Sequence, residues 1–285
     1  MPSPALKQAL AAGEFIVAPG VYDLISALIA DRMGFKALYV TGYGTVASHL
    51  GIPDAGIATY RDMLDRVGRI AEMTHTPIIA DADTGYGGLL NVRETVRGYE
   101  KAGVTAIQIE DQVFPKKCGH TPNRQVVPLA EMAQKIRVAC DSRQSPDFLV
   151  IARTDARTDR GLEEAVTRGI AFAEAGADVV FIEALENEAE MAECARRIDA
   201  PLLANMANGG CTPILSARQL QDMGFALSIF PGAGFLAAAA ALEAIYADIL
   251  EHGTTTEQSR LYDFERFSRL MGFEDIWDFE RKYAS

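Results

Sequence analysis

The chain has 285 residues, is 49% hydrophobic and carries a formal net charge of -12, which is enough apolar matter for one large core and excludes a disordered chain. The charge is acidic along its whole length, so no basic stripe exists to meet a phosphate backbone, and nucleic acid is excluded as a partner. Four cysteines (Cys118, Cys140, Cys194, Cys211) lie far apart with no CxxC pair, which excludes a disulfide framework or a structural zinc and points to a reducing, cytoplasmic setting.

Residues 1–15 lack a charged start followed by an apolar run, so no secretory signal is expected. Strand-like runs then alternate with stretches of helical spacing. Strands are predicted at 15–17, 37–40, 77–80, 106–109, 148–151, 179–182, 202–204 and 226–229. Helices are predicted at 23–33, 61–74, 91–102, 130–140, 162–175, 188–198 and 216–223. Gly34, Gly103, Gly176 and Gly224 each follow a helix and precede a strand, as a left-handed cap before a short turn does. The repeated unit implies parallel strands, and eight of them are most simply closed as an α/β fold of the (β/α)8 TIM-type barrel, with an open doubly wound sheet as the alternative.

Residues 235–250 are alanine-rich, are interrupted by Glu243 and Asp248, and read as a buried helix too short to span a bilayer, so no membrane partner is expected. The whole chain, 1–285, reads as one barrel domain, with 254–285 as a helical tail. That tail is dense in aromatics, among them Tyr262, Phe264, Phe267, Trp277 and Phe279, and must pack on its own barrel or on a neighbouring subunit; a homo-oligomer is expected.

In a barrel of this kind chemistry collects where strands finish. Those positions hold Thr41-Gly42-Tyr43-Gly44, Asp81-Ala82-Asp83, Glu110-Asp111, Arg153-Thr154-Asp155, Glu183 and Asn205. Asp81 and Asp83 stand two apart at one strand end, and Glu110 and Glu183 come from other strands. Carboxylates that converge repel unless neutralised, and oxygen-only ligation selects a hard cation, Mg²⁺ or Mn²⁺. Thr41 to Thr45 offers a glycine-permitted turn whose N–H groups could hold a carboxylate or phosphate. Arg153 can clamp a carboxylate bidentately, or can tie strands together through Glu110 or Glu183. Asp54, Asp111 and Asp155 fit a helix N-cap as well as they fit a site. His49, His75 and His252 sit in ordinary surface contexts, Cys140 and Cys194 at helical, core-like spacing. Lys116-Lys117-Cys118-Gly119-His120 differs, because it gathers a thiol, a glycine and an imidazole in one polar loop.

Asp81-Ala82-Asp83-Thr84-Gly85-Tyr86-Gly87, Glu110-Asp111-Gln112, Lys116-Lys117-Cys118-Gly119-His120, Ala152-Arg153-Thr154-Asp155-Ala156 and Ala204-Asn205-Met206 together resemble the isocitrate lyase/phosphoenolpyruvate mutase superfamily over almost the whole chain. The cysteine loop looks like its carbon–carbon lyase branch, which includes 2-methylisocitrate lyase, 2,3-dimethylmalate lyase and the petal death protein. The resemblance implies C-terminal helices swapped between subunits of a dimer and a tetramer built as a dimer of such dimers. It also implies Mg²⁺ on Asp81 and Asp83, with Asp54 and Glu110 reached through water. Thr41, Gly42 and Tyr43 would meet the carboxylate of the 2-oxo or 2-hydroxy acid; Arg153, Gly119, His120 and Asn205 would hold the other product, and Asp81, Lys117 and Glu183 would also touch substrate. One departure is Asn208, where the named branches carry a glutamate; Gly209-Gly210 and the Lys-Lys loop lean towards the dimethylmalate group.

The implied reaction is retro-aldol cleavage of a substituted 2-hydroxy di- or tricarboxylate to a 2-oxo acid and a second carboxylate. It needs an oxyanion stabilised at C2, a base for the C2 hydroxyl and an acid for the carbanion. Tyr39 is the candidate base, and Cys118, a thiol largely protonated at neutral pH, is the candidate acid. Arg153, Glu110 and His120 complete the catalytic set. The alternatives are an oxaloacetate hydrolase or decarboxylase, then phosphonopyruvate or carboxyphosphonoenolpyruvate mutase-type chemistry, then a silent small-acid binder.

Overall fold

A strand covered on both faces must be largely apolar, and the short runs of this chain meet that demand apart from Gln108, Ser228 and the polar residues at the strand ends. The computed structural model describes residues 2–119, 124–256 and 259–284. The strands are β1 (Ile16–Val21), β2 (Leu38–Val40), β3 (Ile78–Asp81), β4 (Ala106–Glu110), β5 (Leu149–Thr154), β6 (Val179–Ile182), β7 (Leu202–Asn205) and β8 (Leu227–Phe230). They pair in parallel in chain order, and β1 closes on β8 with Ile16 opposite Leu227, so the sheet is a closed barrel and not the open doubly wound alternative.

The helices are α1 (Ala5–Ala11), α2 (Leu24–Asp31), α3 (Gly42–Leu50), α4 (Tyr60–Met73), α5 (Leu89–Lys101), α6 (Leu129–Ser142), α7 (Ala156–Arg160), α8 (Leu162–Glu174), α9 (Glu188–Arg197), α10 (Ala217–Met223), α11 (Ala233–His252), α12 (Phe264–Leu270) and α13 (Phe273–Tyr283). Three of these, α1, α3 and α7, are absent from the sequence prediction. All are short, and α3 begins at Gly42-Tyr43-Gly44, where glycines hide the helical period. The four predicted glycine caps hold, with φ of 83° at Gly34, 92° at Gly103, 102° at Gly176 and 103° at Gly224.

The period-2 alternation of the strands splits the core in two. One set, including Val40, Ala80, Ile107, Val150 and Val180, packs outward under the helices. The other, Ile16, Ala37, Ile79, Ala106, Leu149, Val179, Leu203 and Leu227, fills the lumen, and Leu6 of α1 plugs its lower end at 2% exposure. Going up the lumen, the same inward series turns polar: Ile79 is followed by Asp81, Gln108 by Glu110, Ile151 by Arg153, Phe181 by Glu183 and Leu203 by Asn205. The barrel therefore ends in a ring of charge at the C-terminal side of its strands.

The chain divides into two compact units, up to Gly234 and from Phe235 onward. In the second, the prediction of a short buried helix is corrected. Helix α11 has 20 residues, none of them buried, and by length and composition alone is long and apolar enough to cross a bilayer. The run extends beyond 235–250 because Ala233, Gly234, Glu251 and His252 join it. Its end is tied down by Asp248, which accepts hydrogen bonds from Ser259 (2.5 Å) and from the N–H and hydroxyl of Thr256 (both 3.1 Å). Large apolar side chains of this unit stand open, with Phe264 85% and Leu250 89% exposed.

Leu6→Ala should destabilise the first unit by about 2–5 kcal/mol, because a cavity opens beneath the lumen with nothing to collapse into it. Urea unfolding followed by circular dichroism measures this, and a midpoint equal to wild type would show that α1 does not seal the barrel.

Candidate active site

The polar ring at the strand ends is dense and dry. Asp54, Asp81, Asp83, Glu110, Asp155, Glu183, Lys116, Arg153 and Asn205 all fall between 1% and 9% exposed. The two clustered aspartates therefore face the mouth and not bulk solvent. Asp81 ends β3, and its Oδ1 accepts the N–H of Asp83 (3.0 Å). A methyl group on Gly42 would lie 2.5 Å from Asp81 Oδ2, so glycine is required at the start of α3 for that carboxylate to fit. Thr41 to Thr45 is thus the first turn of a helix and not the free glycine turn expected, with Thr41 as N-cap. Its N–H groups still suit an anion. Thr41 is buried and Tyr43 is 43% exposed.

The lysine that enters this ring is Lys116, which the sequence reading left out in favour of Lys117. Lys116 Nζ stands 2.5 Å from Asp54 Oδ1 and 2.8 Å from Asp83 Oδ1, while Lys117 is exposed. Burial alone would discharge the ammonium, but Asp83, Glu110, Asp81 and Asp54 outweigh it and hold Lys116 firmly charged. Asp83 is pushed up to about 7 by its burial and by the charges of Asp81 and Asp54, against the pull of Lys116. Burial likewise raises Glu110 well above the usual carboxylate range, opposed by Arg153. Gln112 donates to Glu110 Oε1 (2.9 Å) and brackets Lys117 through its N–H and C=O, fixing the loop stem.

Arg153 is also differently employed from the expectation. Its bidentate partner is Asp155, with Nε to Oδ2 and Nη2 to Oδ1 both at 2.9 Å, and Glu183 (3.2 Å) and Glu110 (3.4 Å) flank it. The guanidinium lies over the Phe181 ring, 5.1 Å from its centroid. A substrate carboxylate would therefore meet the remaining Nη1 edge and not the fork. Asp155 makes no capping bond; it also accepts from Arg124 (2.5 Å), and the two guanidiniums overcome burial and keep its carboxyl below the ordinary range. Asp111 is no cap either, since it accepts from Thr154, the N–H of Asp155 and Arg168, and burial raises it to about 6. Asp54 is paired to Lys116, so of the two roles open to these three aspartates the ion-paired one is taken each time.

Cys118 is half-buried, and its N–H donates to the carbonyl of Asp54 (3.2 Å). A methyl group on Gly119 would meet Arg153 Nη2 at 2.2 Å and Glu183 Oε2 at 3.0 Å, so the segment carrying the thiol lies directly on the mouth. His120 lies outside the described residues. Tyr39, inward-facing on β2, donates its hydroxyl to Gln108 Oε1 (2.9 Å), and burial followed by the charge of Asp81 raises its phenol well above 10. Gln108, missed in the sequence, is legible as the inward position two before Glu110. Glu183 accepts from Asn205 Nδ2 (3.0 Å). Two buried polar atoms of the ring, Gln108 Nε2 and Asn205 Oδ1, have no hydrogen-bond partner among the described residues, which suits them to a ligand. Cys194 is buried and Cys140 half-buried against the carbonyl of Gly176, while His49, His75 and His252 are exposed, as expected.

Among the described residues no three acidic, histidine or cysteine side chains are already drawn round one point. The donor set nonetheless fits a hard divalent cation. It is all oxygen, it is too negative to stay fully ionised alone, and Mg²⁺ commonly takes one or two carboxylates and fills its shell with water. Asp81 and Asp83 would serve directly, Asp54 and Glu110 through water.

The carboxyls raised by burial set a pH dependence for the metal-free protein. A folded-state value above the unfolded one adds stability that is complete below about 4 and is lost as pH rises through about 6 for Asp111 and about 7 for Asp83. Melting in chelator should therefore fall between pH 5 and pH 8, and added Mg²⁺ should raise the melting temperature more at pH 8 than at pH 5. Asp155→Ala should cost about 3–5 kcal/mol, since it leaves two buried guanidiniums short of a partner; denaturant titration reads this directly.

Residues 6–250 match the protein family described as phosphoenolpyruvate phosphomutase. The chain is 45% identical to 2,3-dimethylmalate lyase of Eubacterium barkeri over 98% of its own length and 97% of the relative's. It is 42% identical to 2-methylisocitrate lyase of Aeropyrum pernix, over 96% of this chain and 88% of that one. Among solved structures, oxaloacetate acetylhydrolase in complex with 3,3-difluorooxalacetate superposes with a TM-score of 0.92 at 36% identity, covering 99% of this chain and 98% of the other.

Proposed function

The chain belongs to the phosphoenolpyruvate mutase/isocitrate lyase superfamily, and from that premise we propose that it is a carbon–carbon lyase, dependent on Mg²⁺ or Mn²⁺, that cleaves a substituted 2-hydroxy di- or tricarboxylate. The observation that carries this reading is the meeting, at one barrel mouth, of the Asp81/Asp83 carboxylates, Arg153 and the Cys118-Gly119 segment. Identity to two lyases over nearly the full chain supports the bond class and leaves 2,3-dimethylmalate-like and 2-methylisocitrate-like substrates as the candidates.

The first turn of α3, from Thr41 to Tyr43, receives the substrate's 2-hydroxy acid carboxylate, where helix N–H groups favour an anion. When bound, the divalent cation supplies positive charge that stabilises an oxyanion at C2. Tyr39 is the base for the C2 hydroxyl as its phenolate; the phenol proton that it gives to Gln108 at rest must first pass to solvent, a step that its burial and the charge of Asp81 oppose. Arg153, through Nη1, and Asn205 hold the second carboxylate, on which the charge develops when C2–C3 breaks. Cys118 then delivers its proton to C3, and Gly119 and His120, the next residues in the sequence, are assigned to the same product. Lys117, Glu110 and Glu183 complete the set by orienting the loop and Arg153. Closure of 116–119 over the mouth keeps water from the carbanion.

A second reading, hydrolysis of oxaloacetate with an ordered water, is favoured by the likeness to oxaloacetate acetylhydrolase. Both act on a C2–C3 bond beside a carboxylate. The unburied α11 and the aromatic tail support a homo-oligomer in which these helices are exchanged between barrels, a tetramer as a dimer of dimers. Four free cysteines support a reducing, cytoplasmic setting.

Incubation with Mg²⁺ and 2,3-dimethylmalate, 2-methylisocitrate, isocitrate, citramalate, oxaloacetate and phosphonopyruvate separates the readings by product. New 2-oxo acid from a substituted malate or isocitrate is expected; oxalate from oxaloacetate would establish the hydrolase, and phosphoenolpyruvate formed from phosphonopyruvate the mutase-type chemistry. Cys118→Ser should lower turnover about 10²–10⁴-fold with Mg²⁺ affinity retained, and near-normal turnover would remove the thiol as the acid.

A further inference from the structure

The retro-aldol sequence makes no use of Lys116, yet this side chain is set deep in the mouth while its neighbour Lys117 is exposed. Lys116 is 3% exposed, and a lysine is almost never buried to that degree without partners. Its partners are two of the four carboxylates assigned above to the divalent cation, Asp54 at 2.5 Å and Asp83 at 2.8 Å. An ammonium is a compact, strongly hydrated point charge with three donors, so among side chains it is the nearest counterpart of a small hard cation. Its backbone is equally fixed. A methyl group on Gly56 would lie 2.9 Å from Lys116 N, and Cys118 N–H donates to the Asp54 carbonyl, so the segment from Lys116 to Cys118 rests on the strip from Asp54 to Gly56.

We propose that Lys116 is an internal counter-cation that competes with the divalent metal for Asp54 and Asp83, and that its displacement by metal releases the segment carrying Cys118. This rests on the metal assignment of the proposed function. The metal-free protein is held together at the mouth by a charge of its own. Metal entry frees the ammonium from Asp83, and the Cys118 segment loses its strongest tie to the floor of the site. The thiol is then docked against the reacting bond only when an anionic substrate restores the balance of charge, so the acid is armed after metal and substrate are both present.

The test uses the full-length protein in chelator-treated buffer. In Lys116→Met, which keeps length and removes charge, Mn²⁺ affinity measured by electron paramagnetic resonance should tighten at least tenfold, and metal-free melting should fall and recover with Mg²⁺. In the unaltered protein, acylation of Lys116 and alkylation of Cys118 followed by mass spectrometry should each rise at least fivefold on saturation with Mg²⁺ without substrate. Equal or weaker Mn²⁺ binding in a folded Lys116→Met protein would overturn the competition, as would Lys116 equally protected with and without Mg²⁺. If the variant does not fold, the labelling of the unaltered protein decides alone. Wild type that binds no Mn²⁺ sinks the metal assignment together with this inference; wild type and variant that bind it equally sink only the role of Lys116.

Discussion

The crowding of carboxylates in a dry barrel mouth governs the rest of this structure. Asp54, Asp81, Asp83, Glu110, Asp155 and Glu183 share a space from which water is largely excluded. Such a group cannot all be ionised without compensation, because burial disfavours each charge and each charge disfavours its neighbours. Three cationic side chains answer this. Lys116 serves Asp54 and Asp83, Arg153 serves Asp155, Glu110 and Glu183, and Arg124 shares Asp155. Burial first, and then the surplus of acids over cations, pushes Asp83 and Glu110 up against the pull of Lys116 and Arg153. An excess of buried negative charge is a poor way to stabilise a fold and a good way to receive a metal ion.

Much of this was legible in the residues. The barrel followed from repetition: eight short apolar runs, four of them entered through a glycine that the structure shows in a left-handed conformation. Most site positions followed from one rule, that the polar residue ending each strand faces the mouth, and Asp81, Glu110, Arg153, Glu183 and Asn205 all obey it. What escaped was pairing. Two adjacent lysines look alike in a sequence, and only the geometry of the loop against Asp54 to Gly56 turns Lys116 inward and leaves Lys117 exposed. Arg153 has three carboxylates within reach, and which one takes its fork depends on the turn at Asp155, which no local pattern reveals. The short helices escaped because five to nine residues carry too little periodicity, and α11 was misjudged because burial is a property of its surroundings, not of its alanines.

Backbone conformation carries the last step from fold to site. A strand that ends in an inward carboxylate must leave the barrel at once, or its next inward residue would block the mouth. At β3 this is done by Asp83 with φ of 48°, followed by Tyr86 at 57°, and after β6 by Ala184 at 62°. Non-glycine residues in this region cost about 1–3 kcal/mol each and persist only where the surroundings over-determine them. Here the surroundings are visible: Asp83 is held by Asp81 Oδ1 on its N–H and by Lys116 on its carboxylate, and the N–H of Ala184 donates to Glu183 Oε1 (2.8 Å). The same contacts that neutralise charge therefore hold the strained turns. A change in the cation at the mouth bears on the backbone at Asp83, and through Asp54 on the loop that carries Cys118, which joins the electrostatics of the ring to the placement of its acid.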